Sequence, residues 1–191
     1  MYCYKILPHL PSLPDWLQAE ALQTFGTDVT LNVSRPEYAS RMLTKDSETF
    51  LSTRSNRSDL SSEFKQWVKE HIVDTFTECS ISRTSAELSA YQGPHTDKTR
   101  DFVLMYVFES GGPDCRTVWY QEKGQPFYRP GRQWLMINDF AQLDVIEQVQ
   151  LPKNTWSIIN TQYLHGVENI TEDRICLHIG LDSDDFLKEI Q

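Results

Sequence analysis

His95-Thr96-Asp97 places an imidazole and a carboxylate two positions apart, immediately after Gly93-Pro94. In an extended chain, side chains at i and i+2 share a face, so both groups can be offered to one point. A second imidazole brought in from elsewhere would complete two histidines and one carboxylate. That facial set suits non-haem iron(II) and leaves coordination positions open. His165, in Gln162-Tyr163-Leu164-His165-Gly166-Val167, is the natural third ligand, and Gly166 is expected to leave room for close approach to a metal. A His-x-Asp tripeptide alone is weak evidence, because chance accounts for most of them. Arg174 strengthens it: the residue comes nine positions after His165 and would stand beside the metal if a tight turn joined the last two strands. A guanidinium fork pairs with a carboxylate through two parallel hydrogen bonds, which suits a dicarboxylate ligand.

The elements that must position these residues change character along the chain. Apolar residues at spacings of three and four predict helices over 14–25 and 60–75, the second carrying Phe64, Trp67, Val68, His71 and Ile72. Ser61 suits a helix start, and the polar stretch 52–62 reads as a surface loop. From Cys79 onward, short β-branched and aromatic runs predict strands near 79–91, 101–109, 116–121, 133–138, 143–150, 155–160, 163–168 and 173–181. Gly111-Gly112-Pro113, Lys123-Gly124-Gln125-Pro126 and Pro130-Gly131 supply turn chemistry. In the last strand Arg174, Cys176 and His178 alternate with Ile175, Leu177 and Ile179, giving one polar and one greasy face. That pattern fits a barrel with a functional interior and an outer face covered by helices. The expected architecture is α+β in one domain spanning 1–191, with a mainly helical part over 1–78 and a β core over 79–181.

Composition narrows the function classes. The 191 residues are 39% hydrophobic and 12% aromatic, and no apolar run approaches the roughly 18 residues of a membrane span. The first residues lack a basic start followed by an apolar block and a cleavage site, so a cytoplasmic location is expected. Cys3, Cys79, Cys115 and Cys176 form no C-x-x-C pair and read as reduced, structural thiols. Two matches to the glycosylation pattern, at Asn32 and Asn169, mean nothing without secretion. A net charge of -9 opposes attraction to phosphate backbones and disfavours nucleic acid as a partner.

The stretches AYQGPHTD, DFVLMYVFESGG, TVWYQEKG, LPKNTWSIIN and QYLHGVENITEDRICLHIGL together resemble the iron(II)- and 2-oxoglutarate-dependent oxygenase superfamily, in particular its prolyl-hydroxylase-like members. The resemblance covers about 79–181 and rests on the order His-x-Asp, Gly-Gly turn, aromatic strand, distal His and basic residue. It implies a double-stranded β-helix, a jelly-roll or cupin-like barrel with the N-terminal helices on its outer face. It implies catalytic iron ligands at His95, Asp97 and His165, with Arg174 anchoring the far carboxylate of the co-substrate 2-oxoglutarate. The implied activity is O2-dependent hydroxylation of an amino-acid, peptide or protein substrate, with release of succinate and CO2. Retention of a carboxylate at Asp97 favours hydroxylation over halogenation, where family members carry a small residue. Two departures bear on substrate: nucleic-acid demethylases carry a second Arg where this chain has Gly180, and many prolyl hydroxylases use Lys at the position of Arg174. The alternative is a non-catalytic binding module on the same barrel. A cupin-type metal enzyme would call for three or four well-placed histidines, and the chain has five in all. Oligomeric state is not legible.

Other residues read more plainly. His178 shares the inner face with Arg174, with a functional and a core role equally open. Tyr91 and Tyr106 suit core packing more than co-substrate contact. Arg83 and Arg100 carry no assigned role. His9 and His71 read as surface or packing residues, and Trp119 and Trp156 as core.

Overall fold

The computed structural model describes residues 2–23, 55–84, 86, 91–97, 99–125 and 140–188. Among the described residues ten strands form two antiparallel sheets. The larger has the order β1-β8-β5-β10-β3-β2, built from β1 (Tyr4–Leu7), β2 (Ser55–Asp59), β3 (Glu78–Thr84), β5 (Phe102–Ser110), β8 (Trp156–Asn160) and β10 (Arg174–Leu181). The smaller has the order β4-β9-β6-β7, from β4 (Gln92–His95), β6 (Arg116–Glu122), β7 (Leu143–Val149) and β9 (His165–Glu168). From β3 to β10 the chain passes back and forth between the sheets, and this strand order is that of a jelly roll, a cupin-like β fold.

The central strand β5 is buried on both faces because both of its side-chain sets are apolar. Leu104, Tyr106 and Phe108 turn outward, whereas Val103, Met105 and Val107 turn to the interior, where they join Trp119 of β6, Ile159 of β8 and Cys176 of β10. The interior cluster therefore draws on both sheets. The outward residues meet Leu17 and Ala21 of α1 (Asp15–Gln23) and Phe64 and Val68 of α2 (Ser62–His71) in one continuous core. Spacings of four place each of those pairs on one helix face. Ser61 caps α2 as expected, accepting the Phe64 N–H at 3.0 Å. His71 is exposed and stacks on Trp67, and His9 is exposed.

The strands depart from expectation in three places. Of the strand expected over 79–91 the described residues show β3, which ends at Thr84, and His95 closes a further strand, β4, in the other sheet instead of following the first strand. Pro94 has no N–H to give a ladder, and β4 accommodates it as an edge strand with irregular register between Gln92 and His95. The N-terminal part contains β1 and β2 beside its helices, at the two edges of the larger sheet. β1 has four residues, too few to show a period, and β2 falls in the stretch expected to be a polar loop. Edge strands are held by backbone bonds, so composition did not mark them. The expected strand 133–138, the turn at Pro130-Gly131, the end of the first helix and the start of the polar stretch 52–62 lie outside the described residues. No helix among the described residues is long and apolar enough to cross a membrane. All four cysteines are free thiols.

Phe64 is fully buried between α2 and the outer face of the larger sheet. Phe64→Ala should lower unfolding free energy by about 3–5 kcal/mol, measured by urea denaturation, because the sheet cannot collapse into the cavity.

Candidate metal centre

β4 and β9 pair antiparallel, with His95 opposite His165. The strands approach closely because Gly166 has no side chain: a Cβ there would lie 2.4 Å from the carbonyl oxygen of Gln92. The space beside Gly166 is thus taken by the β4 backbone, not left for a metal as expected. The approach brings the two imidazole rings to 4.5 Å between centroids. Asp97, Arg100 and Asp101 are then fastened to Thr161, just beyond β8. The Asp97 N–H donates to the Thr161 carbonyl at 3.1 Å, the Thr161 N–H to the Asp101 carbonyl at 3.0 Å, and the Thr161 hydroxyl to the Arg100 carbonyl at 3.2 Å.

One ligand atom from each of His95, Asp97 and His165 lies within 4.8 Å of the other two. Among the described residues this is the group that could hold a metal ion. The tautomers fit. Nδ1 of His95 lies 2.7 Å from the Gly93 carbonyl and Nδ1 of His165 lies 3.0 Å from the Tyr163 carbonyl. A carbonyl oxygen only accepts, so each Nδ1 carries a proton, and in the neutral ring each Nε2 offers its lone pair to the centre. Burial, followed by the neighbouring His95, pushes His165 down from 6.5 to about 4, which keeps it in the neutral, ligating form. Burial alone would raise the Asp97 pKa, but the site around it, the Arg100 guanidinium included, holds it well below the usual carboxylate range. The centre offers two bare nitrogens and an ionised oxygen, the donor set of a hard or borderline divalent cation.

Arg174 opens β10 and is buried in the wall of the same cleft. Its seat is made by the Gly-Gly turn after β5. Gly111 and Gly112 have φ of +91° and +108°, in the region that favours glycine. A Cβ on Gly111 would come within 3.1 Å of Arg174 Cβ, and one on Gly112 within 2.1 Å of Thr171 Oγ1. The Gly111 carbonyl also accepts the N–H groups of Thr171 and Glu172, tying down the turn that leads into β10.

His178 lines the cleft and hydrogen-bonds Ser82 at 2.7 Å through Nε2. Tyr106 turns away from the cleft into the helix-facing core, and Tyr91 is not among the lining residues. Arg83 is paired with Asp173. Trp119 and Trp156 are fully buried core residues. Sequence reasoning missed Arg100, whose guanidinium bridges Asp97 and Glu78 at 2.5 and 2.9 Å, and the lining residues Gln92, Thr117 and Thr161. Thr117 alternates inward along a strand and could have been found that way. The Arg100 bridge depends on Glu78, 22 positions away in the chain, and left no local signal.

No protein-family model matches this chain, and no curated protein matches it. Among solved structures, dTDP-6-deoxy-D-glucose-3,5-epimerase RmlC from Legionella pneumophila Philadelphia 1, in complex with dTDP-4-keto-L-rhamnose, is similar over 74% of this chain and 71% of that one, at 12% identity and a TM-score of 0.32. At that level nothing about chemistry passes from one protein to the other.

Gly166→Ala should push β4 off β9 and separate the two imidazoles. Metal affinity, followed by calorimetric titration of cobalt(II), is expected to fall about 10- to 100-fold.

Proposed function

We propose that the protein is an iron(II)- and 2-oxoglutarate-dependent oxygenase that hydroxylates an amino-acid, peptide or protein substrate. The observation that supports this reading is the convergence of His95, Asp97 and His165 on one cleft that Arg174 also lines. The donor set fits iron(II), and the buried guanidinium fits a dicarboxylate. His95 and His165 would bind the ion through Nε2 and Asp97 through a carboxylate oxygen, while Arg174 would hold the far carboxylate of 2-oxoglutarate. The chemistry supplied by iron(II) and 2-oxoglutarate at such a site is insertion of an oxygen atom from O2 into a C–H bond, with the co-substrate leaving as succinate and CO2. Val103, Met105, Ile159 and Val167 line the cleft with apolar surface, which excludes water and strengthens the Arg174 contact. The net charge of -9 and the glycine at 180 favour amino-acid or peptide substrates over nucleic acid.

Succinate formation from 2-oxoglutarate with iron(II) and ascorbate tests the reading, first without substrate and then with amino acids, peptides and methylated oligonucleotides. Turnover above the metal-free control is expected, stimulated by a member of the first two panels. Stimulation by oligonucleotides alone would remove the substrate assignment. No succinate under any condition would point to a binding module on the same fold. Arg174→Gln should weaken 2-oxoglutarate by about 30- to 1000-fold, the loss of roughly 2–4 kcal/mol of charged contact, while leaving cobalt(II) affinity nearly unchanged.

A further inference from the structure

The two oxygens of the Asp97 carboxylate have different neighbours. Oδ1 faces the metal centre, 3.5 Å from His95 Nε2. Oδ2 turns the other way and accepts from Arg100 Nε at 2.5 Å. Arg100 is held in turn: its second nitrogen donates to Glu78 Oε2 at 2.9 Å, and its carbonyl accepts the Thr161 hydroxyl. Its side chain is 6% exposed and that of Asp97 is 12% exposed, so solvent competes little for either.

The room for this arrangement comes from Gly180 on β10. A Cβ at 180 would lie 3.1 Å from Arg100 Cδ, 2.7 Å from Thr77 Oγ1 and 3.3 Å from Glu78 Cβ. Gly180 is required here by sterics, since it is not among the residues with positive φ. Any larger residue would displace the Arg100 stem or Glu78. The glycine at this position is therefore part of how the site is built.

We infer that Arg100 is a positioning residue that restricts Asp97 to a single ligating oxygen, keeping the rest of the bound metal's coordination face open to incoming ligands. This rests on the metal-centre reading above. A carboxylate turns easily about its last torsion, and without a partner on Oδ2 it can chelate a cation through both oxygens. Chelation would occupy a position that an exogenous ligand needs. Removing Arg100 also removes a positive charge from beside a cation site, which strengthens the binding of the metal itself. The two effects have opposite signs. Loss of structure would weaken both metal and ligand binding, so the pair of measurements separates positioning from simple stability.

Cobalt(II) serves as the probe metal, because its visible bands report coordination number, and oxalate as the probe ligand, because it needs two neighbouring open positions. Arg100→Gln should bind cobalt(II) at least as tightly as the wild type, show shifted bands before oxalate is added, and bind oxalate about 10-fold or more weakly. Arg100→Lys, which keeps one charged donor, should recover most of the oxalate affinity. Glu78→Gln, which loosens Arg100 without touching Asp97, should shift the bands and weaken oxalate in the same directions by less. Unchanged bands and oxalate affinity in Arg100→Gln would overturn the inference, as would parallel loss of cobalt(II) and oxalate binding with a lowered melting temperature. A wild-type protein that binds no cobalt(II) removes the metal centre and this inference with it. One that binds cobalt(II) and oxalate but not 2-oxoglutarate removes the oxygenase reading and leaves the role of Arg100 standing.

Discussion

Asp97 is a largely buried carboxylate beside two imidazoles, and a charge taken out of water must be met by an opposite charge or by hydrogen bonds. Much of the local structure meets that demand. Arg100 supplies the opposite charge, Glu78 holds Arg100 in place, and Gly180 makes room for its stem. Thr161 fastens the backbone of Asp97, Arg100 and Asp101 through three hydrogen bonds, so the ionised oxygen is aimed before any ion arrives. Glu78 and Gly180 lie on neighbouring strands of the larger sheet, whereas His95 and His165 lie on the smaller one. The centre is thus carried by both sheets, and the interior cluster that holds them face to face also fixes the distance between ligands and supports.

The larger sheet has two unlike faces, and the division is visible in β10. Leu177, Ile179 and Leu181 join the helix-covered core, while Arg174, Cys176 and His178 face the interior. The outer face gains its stability from contact with α1 and α2. That contact relieves the inner face of the need to be wholly apolar. It can then hold a buried guanidinium and an imidazole bonded to Ser82, in one cleft with His95, Asp97 and His165. The glycines at 111, 112, 166 and 180 mark places where a neighbouring residue passes too close for a Cβ: the Arg174 stem, the Thr171 hydroxyl, the Gln92 carbonyl and the Arg100 stem.

The sequence by itself determined which residues could do chemistry, because side-chain type and spacing along a strand are local properties. His95 and Asp97 share a strand end, Arg174 and His178 share the inner face of β10, and Phe64 and Val68 share a helix face. Each of these follows from the period of its element. The strands β5 to β10 were legible from their short β-branched and aromatic runs. Tertiary structure alone decided the rest. Whether His165 meets His95 depends on the approach of β4 to β9, which Gly166 permits through a contact 74 positions away in the chain, at Gln92. The edge strands β1 and β2 are held by backbone ladders that any composition can form. The partner of Asp97 was invisible because a buried ion pair is selected by the space left between strands, and the space for Arg100 is set by the missing side chain of Gly180 on another strand.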